Sequence, residues 1–146
     1  MIGWGQGLGT REAGMKRVLI VEDEAPLREL WLEAIREGGY DVIAAESADD
    51  AFARLDTLTA DLIVLDLLMP PMQMSGLELL ARLHENPRWR DTPVIITSAI
   101  GQALDRQTAA SLGAREILAK PLRSAELLTA IRTIIDAPLR DRTSFA

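Results

Sequence analysis

The stretch Asp61-Leu62-Ile63-Val64-Leu65-Asp66-Leu67-Leu68-Met69-Pro70 constrains the fold more than any other. It is nearly all apolar, short, and bounded by Ala60-Asp61 and Pro70-Pro71, which reads as a strand buried on both faces. Strands of that kind belong to parallel sheets covered by helices on each side. Asp66 then stands at or near the strand's carboxyl end, the edge at which open parallel sheets bind ligands.

The remainder of the chain alternates in the same sense. Arg17 to Val21 is a β-rich run that ends in Glu22-Asp23-Glu24. Pro26 suits the first turn of a helix, whose core face is predicted to be Leu27, Leu30, Trp31, Ala34 and Ile35, and Gly38-Gly39 stops it. Asp41 to Ala45 is a second strand. Ser47 followed by Asp50 resembles a capping box and opens a helix with a predicted core stripe of Ala48, Ala51, Phe52 and Leu55. Further helices are expected from about Leu77 to Glu85, Gln102 to Leu112 and Arg123 to Ile135, with strands over Val94 to Ala99 and Arg115 to Ala119. The Gln102 to Leu112 segment has a thin apolar face, so it is the helix expected to dock weakly and to move. Trp31 reads as core, whereas Trp4 and Trp89 fall in tail and loop. His84, the only histidine, reads as a structural residue near the end of the third helix.

Five β-α repeats give a doubly wound α/β fold with a parallel five-stranded sheet. A chain of 146 residues holds one such domain. Residues 16–136 are assigned to it, with 1–15 and 137–146 as flexible tails. The net charge of −6 and the scattering of Lys and Arg argue against direct contact with nucleic acid. Without cysteine, disulfides, thiolate catalysis and Cys-ligated zinc are excluded. No apolar run approaches the roughly 20 residues that span a bilayer, and no signal peptide is evident, so a cytoplasmic location without membrane contact is expected.

The strand ends carry the chemistry. Glu22-Asp23, Asp66, Thr97-Ser98 and Lys120 should converge at one edge of the sheet. Three carboxylates at close quarters raise one another's pKa unless a cation sits among them, and a hard, oxygen-seeking ion such as Mg²⁺ is the economical one. Lys120 supplies a point charge for a phosphoryl oxygen and Ser98 a hydroxyl donor. The set describes a phosphoryl site with Asp66 as candidate nucleophile. That reading requires Asp66 to remain open to solvent and Lys120 to point into the pocket.

Val21-Glu22-Asp23-Glu24, Asp66 with Met69-Pro70, Pro93 through Ser98-Ala99, and Lys120-Pro121 together resemble the receiver domain of two-component response regulators, over about Lys16 to Asp136. The resemblance implies a flavodoxin-like (βα)5 fold of strand order 2-1-3-4-5 and phosphotransfer from a sensor histidine kinase or histidine phosphotransfer protein onto Asp66. It implies Mg²⁺ held by Asp23, by Glu22 often through metal-bound water, by Asp66 and by the backbone carbonyl of Leu68. It assigns Ser98 and Lys120 to the phosphoryl group, a cis bond to Lys120-Pro121, and a downstream protein target to the face of helix four, strand five and helix five. A homodimer is compatible with it. Such a domain is a switch with self-catalysed phosphotransfer, not a turnover enzyme.

Three departures accompany the resemblance. Ile117 stands where receivers usually place Tyr or Phe. The loop from Asp66 to Gly76 is about two residues longer than the usual form. Leu68 and Ile100, at the positions that tune attack by water, are both apolar, which implies slow autodephosphorylation. With no output domain read after Asp136, a stand-alone receiver is expected. A phosphorylation-independent pseudo-receiver is the rival from the binding-module class. An aspartyl-phosphate hydrolase is disfavoured, because the further acid it needs two residues after the nucleophile is here Leu68.

Overall fold

The computed structural model describes residues 14–67, 74–99 and 106–136. The elements alternate as β1 (Arg17–Val21), α1 (Ala25–Glu37), β2 (Asp41–Ala45), α2 (Ala48–Arg54), β3 (Leu62–Asp66), α3 (Gly76–Glu85), β4 (Val94–Ala99), α4 (Arg106–Ser111), β5 (Ala114–Lys120) and α5 (Ser124–Ile135). All four strand pairings are parallel, and the sheet order is β2-β1-β3-β4-β5, as anticipated.

Each inner strand feeds two cores because its side chains alternate between faces. Val18, Ile20, Leu62, Val64 and Ile95 pack with Trp31, Leu32 and Ile35 of α1 and Leu127, Ile131, Ile134 and Ile135 of α5. Leu19, Val21, Ile63, Leu65, Val94 and Ile96 pack instead with Ala48 and Ala51 of α2, Leu79, Leu80 and Leu83 of α3, and Ala109 of α4. At the amino edge of the sheet, Arg17 is buried and its Nε donates to Asp41 Oδ2 at 2.6 Å.

Several local expectations are corrected. The buried stripe of α1 is Arg28, Trp31, Leu32 and Ile35, turned by about one residue from the predicted one, and Leu30 is 52% exposed. Both sets have helical spacing; the sheet's position chose between them. Phe52 lies outside the α2 core stripe at 43% exposure, with the Arg82 guanidinium over its ring. Trp89, in a turn, is nonetheless buried, and its Nε1 donates to Leu55 O at 3.2 Å. Ser47 does cap α2, its Oγ accepting from Asp50 N–H at 2.9 Å, but the Asp50 carboxylate accepts from Glu46 N–H, not from Ser47. Of the predicted fourth helix, Arg106–Ser111 is described as α4; Leu104 lies outside the described residues, as do both tails up to residue 13 and from 137.

Candidate functional site

The sheet register brings the polar strand ends together. Val21 pairs with Leu65, so Glu22 and Asp66 are the next residues along two adjacent strands. Asp66 pairs with Thr97, and Ala99 with Lys120. Carboxylate oxygens of Glu22, Asp23 and Asp66 lie within 4.8 Å of one another. Lys120, 98 positions beyond Glu22, places Nζ 3.0 Å from Glu22 Oε1 and 3.1 Å from Asp66 Oδ2. The Trp31 ring of α1 lies beneath the ammonium, its centroid 5.8 Å from Nζ.

Lys120 points into the pocket, as the sequence reading required. Asp66 departs from the other requirement: it is 1% exposed, closed in with Lys120 across it. Glu22 is fully buried, while Asp23 is exposed, so the pocket meets solvent on the Asp23 side.

Burial, reinforced by the charge of Asp66, pushes the Glu22 carboxyl up to about 7 against the pull of Lys120. Burial alone would depress Lys120, but its hydrogen bond to Glu22 and the charges of Glu22 and Asp66 outweigh this and raise it. The ammonium therefore stays charged and neutralises part of the acid cluster. An all-oxygen cluster that still holds a proton near neutral pH fits a hard divalent cation, which would displace that proton. Glu22, Asp23 and Asp66 are the described groups that would hold it; Leu68 lies outside the described residues, and so does Ile100.

Ser98 is 5% exposed, with a long 3.5 Å contact from Oγ to Ala99 O. Thr97 is fully buried, and its Oγ1 has no hydrogen-bond partner among the described residues. Ile117 is half-buried and packs on the α2-α3-α4 core. The Lys120-Pro121 peptide bond is cis. His84 is exposed and abuts Gly113, just before β5 begins, at the opposite edge of the sheet from the acids.

Two residues near the site escaped the sequence reading. Arg28 of α1 is nearly buried, and its Nη1 donates to Glu22 O at 2.9 Å and Asp23 O at 3.3 Å. Its signal was available: an arginine in helical register with Trp31, Leu32 and Ile35. Gly76, at the start of α3, approaches β3 so closely that an added Cβ would lie 3.0 Å from Asp66 O and from Leu67 Cα.

Fold and site together define a class: a flavodoxin-like α/β domain with an acid cluster and a lysine at the carboxyl edge of its sheet. Residues 18–132 match the response regulator receiver domain, and the chain belongs to that family. It is 33% identical over 120 residues to the phosphate regulon transcriptional regulatory protein PhoB of Escherichia coli K12, covering 82% of this chain and 52% of that protein. It is 36% identical over 121 residues to the E. coli K12 transcriptional regulatory protein CpxR, covering 83% and 50%. The chain thus spans about half the length of these relatives. Among solved structures, a CheY-like response regulator receiver domain protein from Methanospirillum hungatei superposes with a TM-score of 0.74 at 26% identity, covering 84% of this chain and 95% of that one. The receiver domain of the Francisella response regulator 1452 superposes at 0.72 with 27% identity, covering 88% and 99%. Receiver domains are phosphoacceptor switches of two-component systems; they bind Mg²⁺ at an acidic pocket and interact with histidine kinases and downstream effectors.

Proposed function

We propose that this chain accepts a phosphoryl group on Asp66 from the histidine of a sensor kinase or phosphotransfer protein and so switches its protein contacts. The observation that carries the proposal is the ion-paired triad of Glu22, Asp66 and Lys120, drawn from three strands, with Asp23 exposed beside it. An Asp66 carboxylate oxygen forms the new P–O bond as the donor's P–N bond breaks; the electron pair leaves with the imidazole nitrogen, which takes up a proton. Glu22, Asp23, Asp66 and the Leu68 carbonyl would hold Mg²⁺, which would supply neutralisation of the phosphoryl charge. Lys120 turns from the carboxylate to the phosphoryl oxygens, and Ser98 donates its hydroxyl. Weak docking of α4 lets the phosphoryl charge shift populations on the α4-β5-α5 face, where a downstream protein target binds.

Incubation with acetyl phosphate and Mg²⁺ tests this by intact mass. One added phosphoryl mass is expected, and Asp66→Asn should abolish it. The closure of Asp66 at 1% exposure, together with Ile117, favours a second reading, a pseudo-receiver that presents the same surface without phosphorylation. An unmodified mass both with acetyl phosphate and with a phosphorylated histidine donor protein would favour that alternative. Since neither Leu68 nor Ile100 can orient a water, the phosphorylated form should lose its label slowly; a half-life of seconds in a radiolabel chase would refute this.

A further inference from the structure

We infer that Arg28 is a positioning residue for the acid pair, and that it acts by clamping the two backbone carbonyls of Glu22 and Asp23 rather than by its charge. The inference rests on the Mg²⁺ site proposed above. Arg28 lies on the fourth residue of α1 and its side chain runs back toward the end of β1, where it is 8% exposed. Nη1 bridges Glu22 O at 2.9 Å and Asp23 O at 3.3 Å. Burying a guanidinium is expensive unless hydrogen bonds compensate it, and here the compensating bonds go to those two carbonyls, while Arg28 Nε has no hydrogen-bond partner among the described residues.

The two acids depend on it unequally. Glu22 is held independently: its N–H donates to Ala45 O at 3.1 Å, its Oε2 accepts from Glu24 N–H at 3.2 Å, and its Oε1 accepts from Lys120 at 3.0 Å. Asp23 is exposed, and among the described residues its peptide is held by the Arg28 contact to its carbonyl at 3.3 Å and by the Glu24 N–H bond to Glu22 Oε2. Losing the clamp leaves the peptide that aims the Asp23 carboxylate held from its Glu24 N–H side alone among the described residues, and Asp23 is the acid that the resemblance matches to direct metal contact. Among the described residues Arg28 bonds backbone carbonyls and no carboxylate, so its removal should weaken cation binding through the placement of the acids. Groups that orient ligands from behind are typically worth about 10- to 100-fold in metal affinity.

The test is Mg²⁺ affinity by titration calorimetry for wild type, Arg28→Met, Arg28→Lys and, as a remote control, Arg17→Met, with melting temperatures measured in chelator. Arg28→Met should bind Mg²⁺ at least ~10-fold more weakly. Arg28→Lys, which keeps the charge but whose ammonium ends one bond short of the place of Nη1, should also bind more weakly than wild type with little change in melting temperature. Arg17→Met, which breaks a buried pair at the other edge of the sheet, should lower the melting temperature and leave Mg²⁺ affinity unchanged. Wild-type affinity in Arg28→Lys would overturn the inference whether or not Arg28→Met folds, and wild-type affinity in a folded Arg28→Met would overturn it as well. An equal loss of affinity in Arg17→Met would also overturn it, by reducing the effect to general destabilisation. Absence of Mg²⁺ binding by wild type would instead remove the proposed metal site, and the inference with it.

Discussion

Glu22 has its backbone N–H, its carbonyl and both carboxylate oxygens engaged while fully buried beside Asp66. Its carboxyl, raised from 4.5 to about 7 by burial first and Asp66 second, sets the sign of a pH effect. Below about pH 4.5 folded and unfolded chains both hold the proton; as pH rises toward 7 the unfolded chain releases it and the folded one resists, so stability falls through that window. The loss is at most roughly 3 kcal/mol. Urea denaturation in chelator at pH 5 and pH 8 should show Glu22→Gln flattening this dependence, and an unchanged slope would count against the burial argument. Mg²⁺ affinity should climb over the same interval, because the ion competes with the Glu22 proton.

At the scale of elements, α3 is pinned against the strand that carries Asp66. Ser75 caps it, its Oγ accepting from Glu78 N–H at 3.0 Å, and Gly76 permits the close approach to Asp66 O and Leu67 Cα. The two nearest atoms, at 3.0 Å, are backbone and only the third, Leu67 Cδ2 at 3.3 Å, belongs to a side chain, so a methyl group cannot be absorbed by a side-chain rotation alone. Gly76→Ala should destabilise by ~1–3 kcal/mol in urea denaturation, although alanine is otherwise the better helix former. In contrast, α4 buries only Ala109 among its described side chains. Amide hydrogen exchange should therefore find α4 opening well below the free energy needed to open α1, whose Trp31, Leu32 and Ile35 are all buried. Equal protection of the two helices would remove the basis for a mobile output face.

For the molecule as a whole, stability comes from two cores on opposite faces of one sheet, and the aromatic residues divide between core and surface in a way that composition does not reveal. Trp89 seals the amino-edge side of the α2-α3 core, so Trp89→Ala should cost ~3–5 kcal/mol, a large part of a typical domain's stability. Phe52→Ser, at a half-open position on α2, should change it by about 0.5 kcal/mol or less. Thermal or urea denaturation of the pair of variants checks both expectations at once.

The alternation of elements, the sheet order that the resemblance implied, and the arrival of Glu22, Asp23, Asp66 and Lys120 at one edge were legible in the chain itself. The first and last follow from information carried locally, in doubly buried apolar runs, Pro and Gly punctuation, and acids or lysine placed directly after a strand, whereas the sheet order came from the family resemblance alone. Which helix residues turn inward was not. Leu30 and Leu32 satisfy the same periodicity, and only the position of the sheet decides that Leu32 is buried while Leu30 faces out. Likewise, Arg28 reads as a surface charge until the fold brings it under the carbonyls of Glu22 and Asp23. The closure of Asp66 belongs to tertiary structure for the same reason, since the Lys120 ammonium that lies against it arrives from a strand 54 residues away. A sequence determines the period of its own pattern; the phase of that pattern, and what lies over a buried charge, is set by partners distant along the chain.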